Sequence, residues 1–263
     1  MSKTLILSDI HFSKPSSSAS RTDMFAPLLN GVDTLILNGD TAETLSQKMS
    51  AHSIEMTEEL ISFANDSGVK VVLITGNHDP DISKTHLVYE FEKRVLVMHG
   101  HAVLDGVAPW SWRSKHLKEL LRMYPTPKTL EEALELTTQV SQQVGSDAME
   151  SKKPSTFKLA ILAVPAVFQI LKSWYNFPSL TCKFLKQFAP ETRVCITGHT
   201  HRKGIWIRNH VVIINTGCFG KLAFPSSPFG VVLDHKQGMV LVHRVQKKND
   251  AFKLSKAIAE IAV

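Results

Sequence analysis

The chain is poor in cysteine and has no motif in which cysteine would be used. Its three cysteines, Cys182, Cys195 and Cys218, are far apart and form no CxxC pair. This pattern argues against a disulfide framework and against a zinc site built from thiolates, and it is typical of a reducing compartment. We therefore expect a cytoplasmic location.

Long apolar runs and nucleotide-binding signatures are also missing. No apolar stretch reaches the roughly 18–20 residues that a membrane-spanning helix needs. The opening segment, MSKTLILSDIHF, meets Asp9 and His11 too early to resemble a signal peptide. Neither GxGxxG nor GxxxxGK[ST] occurs, so folds that bind nucleotides through glycine-rich loops have no support.

Positive charge is concentrated in one segment of an otherwise ordinary globular composition. Hydrophobic residues make up 43% of the chain, charged residues make up 21%, and the formal net charge is +6. Residues 151–188 contain six lysines and no acidic residue, which equals the net charge of the whole chain. The basic character is therefore local.

Short aliphatic runs predict buried strands in two parts of the chain. Helical spacing over 47–67 separates two of the early runs, and this alternation indicates βαβ units. The early runs lie at 3–9, 33–40, 70–79 and 94–101, and the late runs at 193–199, 211–217, 230–234 and 239–245. Short turns between the late runs predict an antiparallel meander, and the amphipathic stretch 250–262 predicts a final helix.

The strand pattern disappears between the two groups and helical patterns replace it. The best helical candidates are 113–123, 128–144 and 156–176. We interpret 105–192 as a helical cap inserted into a catalytic domain. That domain would comprise residues 1–104 and 193–263.

Possible metal ligands follow the core strands. They are Asp9, His11, Asp40, Asn77, His78, His99, His199 and His201. Open α/β sheets place their sites at the carboxyl ends of strands, so these side chains are expected to converge. Alternation lets Asp9 and His11 face one centre while Ile10 faces away. Carboxylate, imidazole and amide ligands suit Mn²⁺, Fe²⁺ or Zn²⁺ rather than a soft metal.

Five short blocks resemble those of the calcineurin-like metallophosphoesterase family. In chain order they are SDIH (8–11), NGD (38–40), GNHD (76–79), HGH (99–101) and GHTH (198–201). One DxH block is weak evidence, whereas five blocks in order are strong evidence. The resemblance covers roughly 3–104 and 193–245. It implies an α/β fold in which two mixed β-sheets are flanked by helices as an αββα sandwich, here with a helical cap insertion.

The resemblance also implies a centre with two divalent metal ions, for which we expect Mn²⁺, with Fe or Zn²⁺ as alternatives. The implied ligands are Asp9, His11 and His201 for the first ion, Asn77, His99 and His199 for the second, and Asp40 as the bridge. His78 would face the substrate phosphate, and Asp79 would orient His78 by accepting its other N–H. A hydroxide activated between the ions would attack phosphorus without a protein nucleophile.

The predicted cap contains an apolar segment, KLAILAVPAVFQILKSWYNF (158–177), in which Pro165 should kink or break a helix. One interpretation is a helical hairpin packed against the catalytic domain. The other is an element that binds an acyl chain or contacts the inner face of the membrane peripherally, because Trp174, Tyr175, Phe177 and the basic flanks suit such an interface.

Several functions remain open for a phosphorylated small-molecule or lipid substrate, which could be a monoester, a diester or a pyrophosphate. The chain is distantly similar to the UDP-diacylglucosamine pyrophosphatases, whose helical insertion holds acyl chains, but it has His78 and His101 where they have arginine and aspartate. A nucleotide or nucleic-acid phosphodiesterase is disfavoured because the cap is so apolar. A metal-free scaffold is a further alternative. Arg202 could touch a substrate phosphate.

Overall fold

A computed structural model describes residues 2–150, 156–221 and 227–263, which form eleven strands and four α-helices. The strands are β1 (Lys3–Leu7), β2 (Thr34–Asn38), β3 (Lys70–Ile74), β4 (Leu87–Glu90), β5 (Val95–Met98), β6 (Val194–Thr197), β7 (Gly204–Arg208), β8 (Val211–Asn215), β9 (Phe229–Asp234), β10 (Met239–Lys248) and β11 (Ala251–Ala262). The helices are α1 (Ser50–Asp66), α2 (Ser114–Met123), α3 (Leu130–Glu150) and α4 (Thr156–Phe188).

The strands form two mixed sheets that pack against each other. The first sheet has the order β11-β10-β9-β1-β2-β3, and the second has the order β4-β5-β6-β8-β7. β1, β2 and β3 run parallel, as do β5, β6 and β8, whereas the other neighbours are antiparallel. Within β1, Ile6 packs between the sheets while Leu5 and Leu7 face the layer that contains α1. This alternation buries both faces of the strand.

Helices cover both outer faces, which confirms the predicted αββα sandwich. α1 lies on the first sheet, where Leu60 joins the same core as Leu5. The segment 105–192 supplies the layer on the second sheet, because Leu134 of α3 and Phe177 of α4 pack with Leu96 of β5. The cap boundaries at 105 and 192 stay a prediction, since this segment shares a core with the sheet.

The structure corrects the predicted elements at the end of the chain. Residues 250–262 were expected to form a helix, but β11 occupies this stretch and pairs with β10. The predicted antiparallel meander is confirmed for β9 and β10. It is wrong for the two earlier runs, since β6 and β8 are parallel and the unpredicted edge strand β7 lies between them in sequence. A second unpredicted strand, β4, pairs with β5.

Pro165 was expected to kink or break a helix, and the structure excludes the break, since α4 continues through Pro165 and also through Pro178. A proline within a helix removes the N–H that would bond the carbonyl four residues earlier. For Pro178 that carbonyl belongs to Trp174, and it accepts a hydrogen bond from Arg202 Nη1 at 3.0 Å. An external donor thus compensates for the lost bond. Within the described part of the chain, no helix combines the length and hydropathy needed to cross a membrane.

Candidate metal centre

The structure brings the predicted aspartate and histidine ligands together at the carboxyl ends of the strands. Three groups have potential ligand atoms within 4.8 Å of one another, and Asp40 belongs to two of them. Those two groups are Asp9, His11, Asp40 and His201 on one side, and Asp40, His99 and His199 on the other. The third group is His11, Glu43 and His78. The two groups that share Asp40 coincide with the two sets expected from the sequence. Asn77, the remaining predicted ligand, lines the same cavity.

The backbone of these loops is held in an uncommon conformation. Five of the predicted ligands have a positive φ: Asp9 (52°), His11 (52°), Asp40 (52°), His199 (67°) and His201 (57°). Such a conformation costs a non-glycine residue on the order of 1–3 kcal/mol and persists only where neighbours enforce it. Here Asp9 N–H donates to the Gly39 carbonyl at 3.1 Å, and His11 N–H donates to the Asp40 carbonyl at 3.0 Å.

Glycines in two of the motif blocks allow close approach of the aspartates. A Cβ atom at Gly76 would overlap Asp40 Oδ1, and one at Gly198 would overlap Asp9 Oδ2. Neither aspartate has room to retreat, since both side chains are fully buried. The glycines of GNHD and GHTH are therefore required by the geometry of the centre.

Hydrogen bonds behind the imidazoles fix which ring nitrogen faces the centre. His99 Nδ1 donates to the Asn38 carbonyl at 2.9 Å, and His199 Nε2 donates to the Val107 carbonyl at 2.8 Å. His11 Nδ1 lies 2.6 Å from Glu43 Oε1. The opposite nitrogen of each ring is left for a metal ion, which is the usual arrangement of histidine ligands.

Several buried polar atoms at the centre have no hydrogen-bond partner. They are Asp40 Oδ2, Asn77 Oδ1, His99 Nε2 and His199 Nδ1, of which Asp40 Oδ2 and His99 Nε2 face each other at 3.3 Å. Each such atom costs roughly 1–3 kcal/mol if nothing compensates it. These atoms are a carboxylate oxygen, an amide oxygen and two imidazole nitrogens, which together are a suitable donor set for a divalent cation. The residues present therefore fit divalent metal ions.

The electrostatics of the centre are dominated by the two buried aspartates. Burial alone would raise the pKa of Asp40, but the adjacent imidazoles, led by His99, hold it well below its usual range. Burial opposes protonation of His99, yet the Asp40 charge raises the pKa of this imidazole to about 9. Burial likewise opposes protonation of His201, but Asp9 helps to raise the pKa of that ring to about 10. Without metal, protons on these rings balance the carboxylates, so metal binding would release protons.

Glu43, not Asp79, contacts the side chain of His78. Glu43 Oε2 lies 3.0 Å from His78 Nδ1, while Oε1 holds His11, so one buried carboxylate joins both rings. Burial would raise the pKa of Glu43, but these two imidazoles lower it. Glu43 belongs to none of the five sequence blocks, and its position three residues after Asp40 is the only hint of its role in the sequence.

Asp79 instead shapes the loop that carries Asp40. Its two carboxylate oxygens accept backbone N–H bonds from Asp40, Thr41, Ala42 and Gly76, at 2.9, 2.7, 3.1 and 2.8 Å. The expected contact of Asp79 with the His78 ring is therefore corrected. Asp79 acts on the centre by fixing the backbone around Asp40.

Comparison with known proteins assigns this arrangement to a family. Residues 2–203 match the family model of calcineurin-like phosphoesterases. The chain belongs to this family. It is thus a metallophosphoesterase, a hydrolase of phosphoester bonds, and its buried histidine–aspartate cluster is suited to divalent metal ions. No curated protein sequence matches the chain significantly.

Solved structures resemble this phosphoesterase at low sequence identity. A dimetal phosphatase from Danio rerio is 10% identical with a TM-score of 0.52, over 99% of this chain and 98% of that one. Yfce, a phosphoesterase from E. coli, is 15% identical with a TM-score of 0.44, over 99% and 98%. Vps29 from Entamoeba histolytica, solved with zinc, is 12% identical with a TM-score of 0.44, over 98% of each chain. The likeness to the Danio rerio enzyme supports the shared fold alone.

Four of the candidate metal ligands of this phosphoesterase, Asp40, Asn77, His199 and His201, border a cavity of about 150 Å³. Its polar wall comes from the strand-end loops and consists of Asp40, Asn77, His78, His199, Thr200 and His201. Its apolar wall comes from the 105–192 segment and consists of Ala108, Trp110, Ile170 and Trp174. A phosphoryl group at the metal centre would therefore have an apolar surface beside it. His101 lies outside this lining and is buried against Thr138, with 3.4 Å between Nε2 and Oγ1.

Two hydrogen bonds connect the apolar wall to the last metal-binding loop. Trp174 Nε1 donates to the Thr200 carbonyl at 2.8 Å, and Arg202 Nη1 donates to the Trp174 carbonyl at 3.0 Å. The Arg202 guanidinium also lies 5.8 Å from the ring centroids of both Trp174 and Trp206. Arg202, considered as a phosphate contact from the sequence, is instead engaged with α4.

Proposed function

We propose that this phosphoesterase acts at a two-cation centre on a substrate whose non-phosphate part is apolar. The observation that carries the proposal is that Asp40 joins both ligand groups beside a cavity with one polar and one apolar wall. Asp9, His11 and His201 would hold one cation, Asn77, His99 and His199 would hold the other, and Asp40 would contact both. Mn²⁺ is the first candidate for this donor set, with Fe or Zn²⁺ as alternatives.

The division of labour follows from the side chains around the cavity. When bound, the two cations would polarise the phosphoryl oxygens and lower the pKa of a water molecule, so that no protein nucleophile is required. The ligand residues fix the positions of the reacting groups, because their rings and carboxylates are held from behind by backbone and Glu43 contacts.

His78 is the proposed general acid. It lines the cavity, and its Nδ1 is engaged by Glu43 at 3.0 Å, which leaves Nε2 for the leaving-group oxygen. Burial opposes the charge of this ring, but the carboxylates of Asp40 and Glu43 raise the pKa of His78 above its ordinary value. This shift favours the protonated ring, which could donate its proton as the P–O bond breaks.

The apolar wall favours an amphiphilic substrate over nucleic acid. Trp110, Ile170 and Trp174 offer aromatic and aliphatic surface where a nucleic-acid site would offer basic side chains to backbone phosphates. A lipid-linked nucleotide pyrophosphate is a second candidate, because it combines phosphoryl groups with a large apolar part. An amphiphilic phosphoester and a lipid-linked nucleotide pyrophosphate would both react at the same metal centre. They differ in the apolar group that would contact the wall formed by Trp110, Ile170 and Trp174.

The decisive experiment measures hydrolysis by the Mn²⁺-loaded protein for matched pairs of phosphoesters. Each pair shares the phosphoryl group and leaving group and differs in an added alkyl or aryl substituent. We expect kcat/KM to rise with the apolar substituent in the parent protein and to lose this dependence in Trp110→Ala. Equal kcat/KM across each pair would contradict the apolar part of the proposal, whereas absence of hydrolysis with every ester and every divalent metal would contradict the whole of it.

A further inference from the structure

We propose that the outer face of α4 docks onto an anionic lipid membrane. This face is defined by Phe168, Leu171 and Tyr175, which are 65%, 54% and 83% exposed, and Val167, which is 55% exposed, flanks it toward the cavity side. Phe168, Leu171 and Tyr175 follow the i, i+3, i+7 spacing that places side chains on one side of a helix. Single exposed apolar residues are ordinary, but a continuous stripe of large ones marks an interaction surface.

Described side chains on the other sides of α4 serve folding and line the cavity. Phe177 is 1% exposed and packs in the core beneath the second sheet, while Ile170 and Trp174 line the cavity. A helix at a protein surface normally has one apolar side and one polar side. α4 also has a second apolar side, formed by Phe168, Leu171 and Tyr175, and these residues do not join the hydrophobic core.

Charge on the same side of α4 identifies the occupant. Lys172, Lys183 and Lys186 are exposed and, at 100° per residue, lie within about 60° of Phe168 around the helix. Residues 156–188 contain no acidic side chain. Aromatic and aliphatic side chains with a basic border are the composition of helices that lie in the headgroup region of anionic membranes. A second copy of the chain is disfavoured, because two such basic faces would repel each other.

The segment that leads into α2 extends this surface. Trp112 is 48% exposed and shares an open groove with Gln169 of α4. Tryptophan and tyrosine are the side chains that concentrate at membrane–water interfaces. Lys118 in the same groove is paired with Asp105 at 2.8 Å, so the positive charge of the surface rests mainly on the α4 lysines.

The outer face of α4 lies close enough to the candidate metal centre for membrane docking to affect access to the cavity. Ile170 and Trp174 project from α4 toward the cavity on the side away from Phe168, so about one helix diameter, 10–12 Å, separates the two sides. Docking would bring the cavity close to the headgroup layer. The binding itself does not depend on the proposed hydrolysis.

Flotation of the full chain with vesicles tests the proposal. The vesicles are phosphatidylcholine alone or phosphatidylcholine with phosphatidylglycerol. We expect preferential flotation with the anionic vesicles. Phe168→Gln/Leu171→Gln/Tyr175→Gln should weaken this binding roughly tenfold or more, because glutamine preserves helix formation and removes the apolar contact. Lys172→Gln/Lys183→Gln/Lys186→Gln should reduce the preference for anionic vesicles by about fivefold per lysine.

The matched control is Ile207→Thr/Ile258→Thr, which changes exposed apolar residues on β7 and β11 and should leave flotation unchanged. Circular dichroism establishes that each variant is folded. Absence of binding by the parent protein, or equal binding by the glutamine variant at positions 168, 171 and 175, would overturn the proposal. So would a parent dimer that becomes monomeric in that variant without loss of flotation, since the face would then serve a second copy.

Discussion

The strand-end loops and helix α4 form two walls of one cavity, and they are held in different ways. Several loop side chains are fixed by specific partners, as His99 is by the Asn38 carbonyl and His11 by Glu43. α4 contributes aromatic and aliphatic surface that is positioned by packing and by two hydrogen bonds to residues 200–202. The loops therefore determine which reaction is possible, and the helix determines what surrounds the phosphoryl group.

Replacing Asp40 should produce the largest effect on the loop wall. Asp40→Asn should reduce phosphodiester hydrolysis with Mn²⁺ by at least on the order of 10⁴-fold, because both ligand groups lose a shared negative charge. The fold should survive, since the amide oxygen of the variant can still accept the backbone N–H bond of His78 that Asp40 Oδ1 accepts at 2.8 Å. Hydrolysis rates and bound metal, measured by elemental mass spectrometry, check this. Asp66→Asn on the exposed side of α1 is the control, and full activity of Asp40→Asn would remove Asp40 from the centre.

Variants of His78 and Glu43 should distinguish residues of the polar wall that hold the metal ions from the residue that donates a proton. His78→Ala should lower kcat about 10²-fold while both metal ions stay bound. Glu43→Gln should lower kcat roughly 10–100-fold and also weaken metal binding, because Glu43 holds the metal ligand His11 as well as His78. Kinetics and metal titrations of both variants provide the measurement. Loss of the metals in His78→Ala would show that His78 is itself a ligand.

The loop wall was largely predictable from the sequence because its chemistry depends on short motifs at strand ends. Candidate ligands such as His199 and His201 lie at a fixed spacing within a block. The order of the blocks along the chain limits how the strand ends that carry them can converge. Glu43 escaped prediction because its role depends on a side chain that reaches two rings from different loops. No motif in the sequence records such a contact.

The final strand was mispredicted for a different physical reason. Leu254, Ile258 and Ile261 follow helical spacing, and alanine and lysine between them favour a helix. The adjacent strand β10 offers a long antiparallel partner, and its pairing with β11 overrides that local preference. Similarly, Pro165 was expected to kink or break a helix, but the helix continues through it, so local propensity alone does not decide where a helix ends.

The smallest predicted effects concern the link between the two walls. Arg202→Met should lower the free energy of unfolding by about 1–2 kcal/mol, because the Trp174 carbonyl loses the donor that replaces the N–H missing at Pro178. Trp174→Phe should lower it by about 1 kcal/mol through loss of the bond to the Thr200 carbonyl. Denaturant unfolding measures both changes, and Arg208→Met on β7 serves as the control.

Combining the two substitutions shows whether α4 and the metal-binding loop behave as one unit. Both hydrogen bonds join the same two segments, so the first substitution already loosens what the second bond holds. The double variant should therefore lose less stability than the sum of the single variants, by about 0.5 kcal/mol or more. Additive losses would mean that the two walls are independently anchored. In that case the position of Trp174 in the cavity would depend on core packing alone, and substrate selection by α4 would be separable from the metal centre.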